Sequence, residues 1–137
     1  MEIKEYQGYN EKEILNLYRS VGWTAYTDEP ISLKAGFQKS LLILGAYEKD
    51  RLLGIIRAVG DASTILYIQD VLVRPEAQRK GIGTALVRAA VSHFQSVRQI
   101  VLATDDTPKT NAFYRSLGFA PMAENGCCGF MKDSSAV

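Results

Sequence analysis

Arg74-Pro75-Glu76-Ala77-Gln78-Arg79-Lys80-Gly81-Ile82-Gly83-Thr84 is the stretch on which the reading of this chain turns. It follows an apolar, β-rich run over 64–73, and Arg74-Pro75 ends that run, because proline cannot extend a sheet ladder and restricts the residue before it. After it, Ala85, Leu86, Ala89, Ala90, Val91 and Phe94 recur at helical spacing and predict a helix over 83–95, followed by a short apolar strand over 99–104. Strand, loop, helix and strand make a βαβ crossover, whose first loop is the usual place for a ligand in an α/β sheet. The loop's chemistry agrees. Two glycines let the backbone approach a ligand, the free N–H groups and positive dipole end of the helix attract an anion, and Arg79 and Lys80 add charge.

Two nucleotide-binding patterns do not fit. A P-loop places Lys and Ser or Thr after its last glycine, whereas Lys80 precedes Gly81. A dinucleotide fingerprint wants a third glycine or alanine three residues after Gly83, where Leu86 stands, and belongs to the first strand of a domain, not its middle.

Outward from the loop, an N-terminal strand is expected at about 2–6. A helix over 11–21 carries Ile14, Leu15, Leu17, Tyr18 and Val21, with Asn10 as its cap and Gly22 as its stop. A second helix over 30–40 begins at Pro30. Between them lies the aromatic and acidic loop 23–29. Apolar runs at 41–47 and 52–59 flank Glu48-Lys49-Asp50-Arg51, a hairpin loop. A helix over 108–117 has Thr107 as cap and Gly118 as stop, and 119–122 and 128–132 are the last strand candidates. The class is therefore mixed α/β, with antiparallel N-terminal strands and a central parallel βαβ unit.

Composition narrows the function classes. The chain has 137 residues, 47% hydrophobic and 23% charged, enough for one domain over 1–137 with a real core. Sixteen basic against fifteen acidic residues leave a formal charge of +1, which gives no bulk case for nucleic acid or an anionic membrane as partner. No apolar run approaches a membrane span or a secretory leader, so the expected location is cytoplasmic. Cys127 and Cys128 are adjacent and read as reduced thiols, and with His93 the one histidine, no metal site is expected.

Val73 to Gly83, with Thr84-Ala85-Leu86 after it, resembles the acyl-CoA binding motif of the GNAT superfamily of N-acetyltransferases, whose core is Gln/Arg-x-x-Gly-x-Gly/Ala. A second segment, Asn111-Ala112-Phe113-Tyr114-Arg115-Ser116-Leu117-Gly118-Phe119, resembles that family's Asn-x-x-Phe/Tyr-Tyr-x-x-x-Gly-Phe segment with one residue fewer between Asn and the aromatic pair. The order of elements agrees along nearly the whole chain, with about four helices flanking the sheet.

The resemblance implies acetyl-CoA as co-substrate and an amine as acceptor, joined by direct transfer in a ternary complex. It implies that the amides from Gln78 through Arg79, Lys80, Gly81, Ile82, Gly83 and Thr84 grip the pyrophosphate, and that Leu72 and Val73 pair with the pantetheine arm where two parallel strands splay. Asn111 would bond the pantetheine region, and Tyr114 would protonate the departing thiolate. The family often takes its base from a carboxylate on the strand before the loop. Alternation over 64–73 puts Tyr67, Gln69, Val71 and Val73 on one face and Leu66, Ile68, Asp70 and Leu72 on the other. Asp70 is the one carboxylate there, either desolvated into a base or paired structurally. Gln69 stands where some relatives carry an acid. The same resemblance puts Trp23, Tyr26 and Glu29 beside the acceptor, where an aromatic wall and a carboxylate suit a cationic amine. A small-molecule amine is the leading reading. A protein amine, a non-catalytic CoA-binding domain and a homodimer stay open.

Overall fold

The computed structural model describes residues 1–132. Five strands form one sheet in the order β1-β2-β3-β4-β5: β1 (Glu2–Glu5), β2 (Leu42–Glu48), β3 (Arg51–Gly60), β4 (Ile65–Val73) and β5 (Gln99–Leu102). The first four pair antiparallel, and β4 and β5 pair parallel. The helices are α1 (Glu11–Ser20), α2 (Thr24–Thr27), α3 (Pro30–Gln38), α4 (Ile82–His93) and α5 (Pro108–Ser116). The mixed α/β class and the βαβ unit expected from the sequence are what the fold contains. The chain forms two compact units, Met1–Ala103 and a second that begins at Thr104.

In the first unit, β3 is buried along almost its whole length, as a central strand covered on both faces must be. Ile14, Leu17 and Tyr18 of α1 and Leu33 and Phe37 of α3 pack with Leu52, Ile55 and Leu72 of the sheet. Helix α4 packs on β2, β3 and β4, burying Leu86, Val87 and Ala90. Ile56, next to Ile55 and so on the opposite face, pairs across to Leu44.

Two irregularities in β4 position the site. Pairing with β3 shifts from Arg57 opposite Asp70 to Ala58 opposite Ile68, so Gln69 is the extra residue of a β-bulge. Pairing with β5 ends at Ile68 opposite Leu102, while β4 runs on to Val73. From the bulge onward, the side of β4 that had faced β5 has no strand partner among the described residues.

The second unit holds α5, which starts with a capping box in which Thr107 and Thr110 bond each other's backbone N–H. Its far end closes at Gly118 (φ 90°), with Phe119 N–H donating to Tyr114 O at 3.0 Å. The strands expected at 119–122 and 128–132 are not formed. Pro121, which lacks the N–H a ladder needs, leads into a 3-10 turn at Met122–Asn125 held by the Arg115–Glu124 ion pair, and Gly126 then takes a left-handed turn (φ 74°). The segment 23–29, read as a loop, contains the single turn of α2. No helix among the described residues is long and apolar enough to cross a membrane.

Candidate active site

The loop before α4 is built as a cradle of backbone donors. Arg74, buried, fixes its start by donating from Nε to Leu52 O at 2.7 Å and from Nη1 to Asn16 Oδ1 at 2.6 Å. Gln78 turns back and donates from Nε2 to Val73 O at 2.9 Å, so its side chain braces the loop and occupies the last carbonyl of β4. Arg79 (φ 63°) and Gly81 (φ 80°) both adopt the left-handed region, the alternation that curls successive amides toward one point. Gly81 is the N-cap of α4 and brings no side chain to cap it. The first intrahelical bond is Ala85 N–H to Gly81 O at 3.0 Å, which leaves the amides of Ile82, Gly83 and Thr84 without an intrahelical partner. A Cβ built on Gly81 would meet nothing within 4 Å, so the space beside the cap residue is open. Arg79, Lys80 and Gly81 are exposed, whereas the Ile82 side chain is buried and only its amide is free for a ligand.

Asp70, two residues before Leu72 on β4, sits in the opposite kind of environment. It is 1% exposed, and its carboxylate accepts from Arg57 Nε and Tyr18 Oη at 2.8 Å on Oδ2 and from Tyr26 Oη at 2.5 Å on Oδ1. Gln69, exposed at the bulge, donates from Nε2 to Tyr26 Oη at 2.9 Å. Burial opposes the charge of Arg57, yet Asp70 beside it holds the guanidinium above its ordinary value. Burial, and then the Asp70 charge, push the Tyr18 phenol up, and burial with the bond to Asp70 does the same for Tyr26. Of the two environments the sequence left open for Asp70, this is the paired one.

Tyr26 and Glu29 line a cleft of about 130 Å³ together with Leu33, Gly36 and Arg57. Trp23 packs behind it, its ring 6.0 Å from Tyr18 and 6.1 Å from Tyr26, against the core of α1 and α3. Arg57 and Tyr18 were not among the residues singled out from the sequence. The signal was present for Arg57: a lone cation in the apolar run 52–59 needs a buried partner, and the adjacent run offers Asp70.

In the second unit, Asn111 donates from Nδ2 to Asp106 Oδ1 at 3.0 Å, leaving its carbonyl oxygen without a protein partner there. Tyr114 lies edge-on to Phe113 (4.9 Å) and Phe119 (5.9 Å), and burial raises its phenol above the ordinary value, so it carries its proton at neutral pH. The described residues contain no cluster of ligands for a metal.

Comparison with known proteins decides the family. The pattern of the acetyltransferase (GNAT) family matches residues 10–119. The chain belongs to the GNAT acetyltransferase family. It is 30% identical over 125 residues to a ycf52-like N-acetyltransferase of Prochlorococcus marinus, covering 86% of this chain and 67% of that one. A GNAT family acetyltransferase from Streptococcus pneumoniae TIGR4 superposes with a TM-score of 0.87 at 34% identity over 97% of each chain. The PaiA N-acetyltransferase of Thermoplasma acidophilum, solved in complex with coenzyme A, shares the fold at a TM-score of 0.71, with 19% identity over 88% of this GNAT chain and 89% of its own.

Proposed function

We propose that this GNAT protein transfers an acetyl group from acetyl-CoA to the amine of a small molecule, in a ternary complex. The observation that carries the reading is the uncapped start of α4, where Gly81 stands beside open space and the next three amides have no intrahelical partner. A pyrophosphate suits these donors in charge and geometry, and a Cβ-free approach suits its bulk. The unpaired side of β4 from Gln69 to Val73 offers main-chain groups to an extended arm. Arg74 N–H donates to Leu53 O, so by alternation Leu72 turns its N–H and C=O to β3, while Val71 and Val73 turn theirs to the open side, where Val73 O already accepts from Gln78.

In the chemistry, the acceptor's nitrogen bonds to the thioester carbonyl carbon, the carbon–sulfur bond breaks, and the sulfur takes a proton. Tyr114 holds that proton at Oη, and solvent restores it afterward. Its raised pKa keeps the proton on Oη at neutral pH, so Tyr114 donates a hydrogen bond to the sulfur as charge develops there, and the transfer, uphill to a thiolate of ordinary pKa about 8.5, is completed as solvent restores the proton. Asp70 acts as a positioning residue: with three donors on its two oxygens it orients Tyr26 and Arg57, while the amine's own proton leaves to water at the exposed bulge beside Gln69. Tyr26 and Glu29 give the acceptor an aromatic wall and a carboxylate that favour a cationic amine. Measuring CoA thiol release with acetyl-CoA and a panel of polyamines, amino acids, aminoglycosides and peptides tests the reading. Release with at least one small amine is expected, and release with peptides alone, or with none, overturns it.

A further inference from the structure

Arg57 has donors to spare. A guanidinium carries five N–H groups, and within the described residues Arg57 directs Nε to Asp70 and Nη1 to Ser40 Oγ at 3.2 Å, with no protein partner for Nη2. The group lies between two rings, with its central carbon 5.5 Å from the Phe37 ring centroid and 6.0 Å from that of Tyr26. It lines the cleft that Tyr26 and Glu29 also line. Gly36 opens that cleft, since a Cβ there would come within 3.3 Å of Arg57 Nη1.

Charge decides what such a donor accepts. The single positive charge of Arg57 is already matched by Asp70 at 2.8 Å, and Glu29 adds a negative charge to the same cleft. A second carboxylate on the spare N–H groups of the guanidinium would place two anions on one cation in a desolvated floor, whereas a neutral oxygen takes the hydrogen bond without that repulsion. We propose that Arg57 is the specificity-determining residue of the acceptor site and selects small amines bearing a neutral carbonyl or hydroxyl oxygen a few bonds from the nitrogen, against both plain alkylamines and free amino acids. The proposal rests on the cleft being the acceptor site of the acetyltransferase reading above.

Alaninamide, isopropylamine and alanine form a matched set in which a carboxamide, a methyl or a carboxylate stands on the same carbon as the amine. Each is titrated into the protein with coenzyme A present, following the Arg57 Nε–H signal by NMR, and each is assayed for thiol release with acetyl-CoA. A hydrogen bond to a charged group is worth about tenfold or more in affinity, so alaninamide should bind at least about tenfold more tightly than isopropylamine, with alanine the weakest. Gly36→Ala should shrink the advantage of the amide. Alanine favours a helix interior over glycine, and urea unfolding of the variant separates this result from a loss of stability. Equal binding of alaninamide and isopropylamine, alanine binding as well as the amide, or no binding by any of the three overturns the proposal. Selective binding of the amide, with thiol release from none of the three and from no small amine of the wider panel, would instead overturn the acetyltransferase reading and leave the selectivity of Arg57 standing. Thiol release at equal efficiency with alaninamide and isopropylamine would do the reverse.

Discussion

The start of α4 and the cluster around Asp70 stand at opposite ends of one principle, that a polar group removed from water needs a partner. At Asp70 both carboxylate oxygens are taken by protein donors. At the start of α4 the amides of Ile82, Gly83 and Thr84 have no side-chain cap, although the same chain caps α1 with Asn10 and α5 with a capping box at Thr107. The contrast teaches where this protein keeps its binding capacity. A closed polar cluster holds a shape; an uncapped row of donors is what the proposed anion site is built from.

The sharpest way to break that contrast is Arg57→Met. Removing one member of a buried ion pair strands the other charge, so stability to urea should fall by about 3 to 5 kcal/mol, while the folded fraction keeps its affinity for coenzyme A. A loss within about 1 kcal/mol would mean that solvent reaches Asp70 and the cluster is not closed. Tyr114→Phe lies outside both regions and should leave both unchanged. Turnover should fall about a hundredfold, equivalent to some 3 kcal/mol of barrier, and the loss should appear in kcat. Wild-type kcat with an acceptor that makes chemistry rate-limiting would reduce Tyr114 to packing. Gly81→Val should behave as the mirror of Arg57→Met, because a branched residue is strained at φ 80° and intrudes on the open space. Affinity for coenzyme A should drop by more than about tenfold, or 1.4 kcal/mol, and calorimetry on the folded variant showing no change would remove the anion-site assignment. Lys80→Ala should have the smallest effect, visible at low salt and lost as salt rises, since an exposed cation is screened. A salt-independent loss would mean that Lys80 makes a direct, desolvated contact.

Local signals were legible where local chemistry decides the outcome. Gly-Ile-Gly after a strand that stops at proline gave the α4 cradle, and Thr107 with Gly118 gave both ends of α5. The C-terminal strands failed for a similar local reason read too lightly: Pro121 and Gly126 interrupt an apolar segment that by composition alone looks β-prone. The cleft beside Asp70 was only half legible: Tyr26 and Glu29 line it, Gln69 bonds Tyr26 and Trp23 packs on Tyr18 and Tyr26, whereas Arg57 and Gly36 come from elements that carried no motif.

By itself, then, the sequence determined the order of elements from β1 to α5 apart from α2, the βαβ unit, the glycine-containing loop before α4 and the family resemblance, because each depends on spacing along the chain, and spacing is what helices, strands and turns obey. The tertiary structure alone decided that Asp70 is a buried partner of Arg57, Tyr18 and Tyr26, that Gln69 bulges at the point where β5 leaves β4, and that Gly36 opens a cleft onto a guanidinium. Those depend on which residues from distant segments meet out of water, where the cost of an unpaired charge selects the partner that no local pattern names.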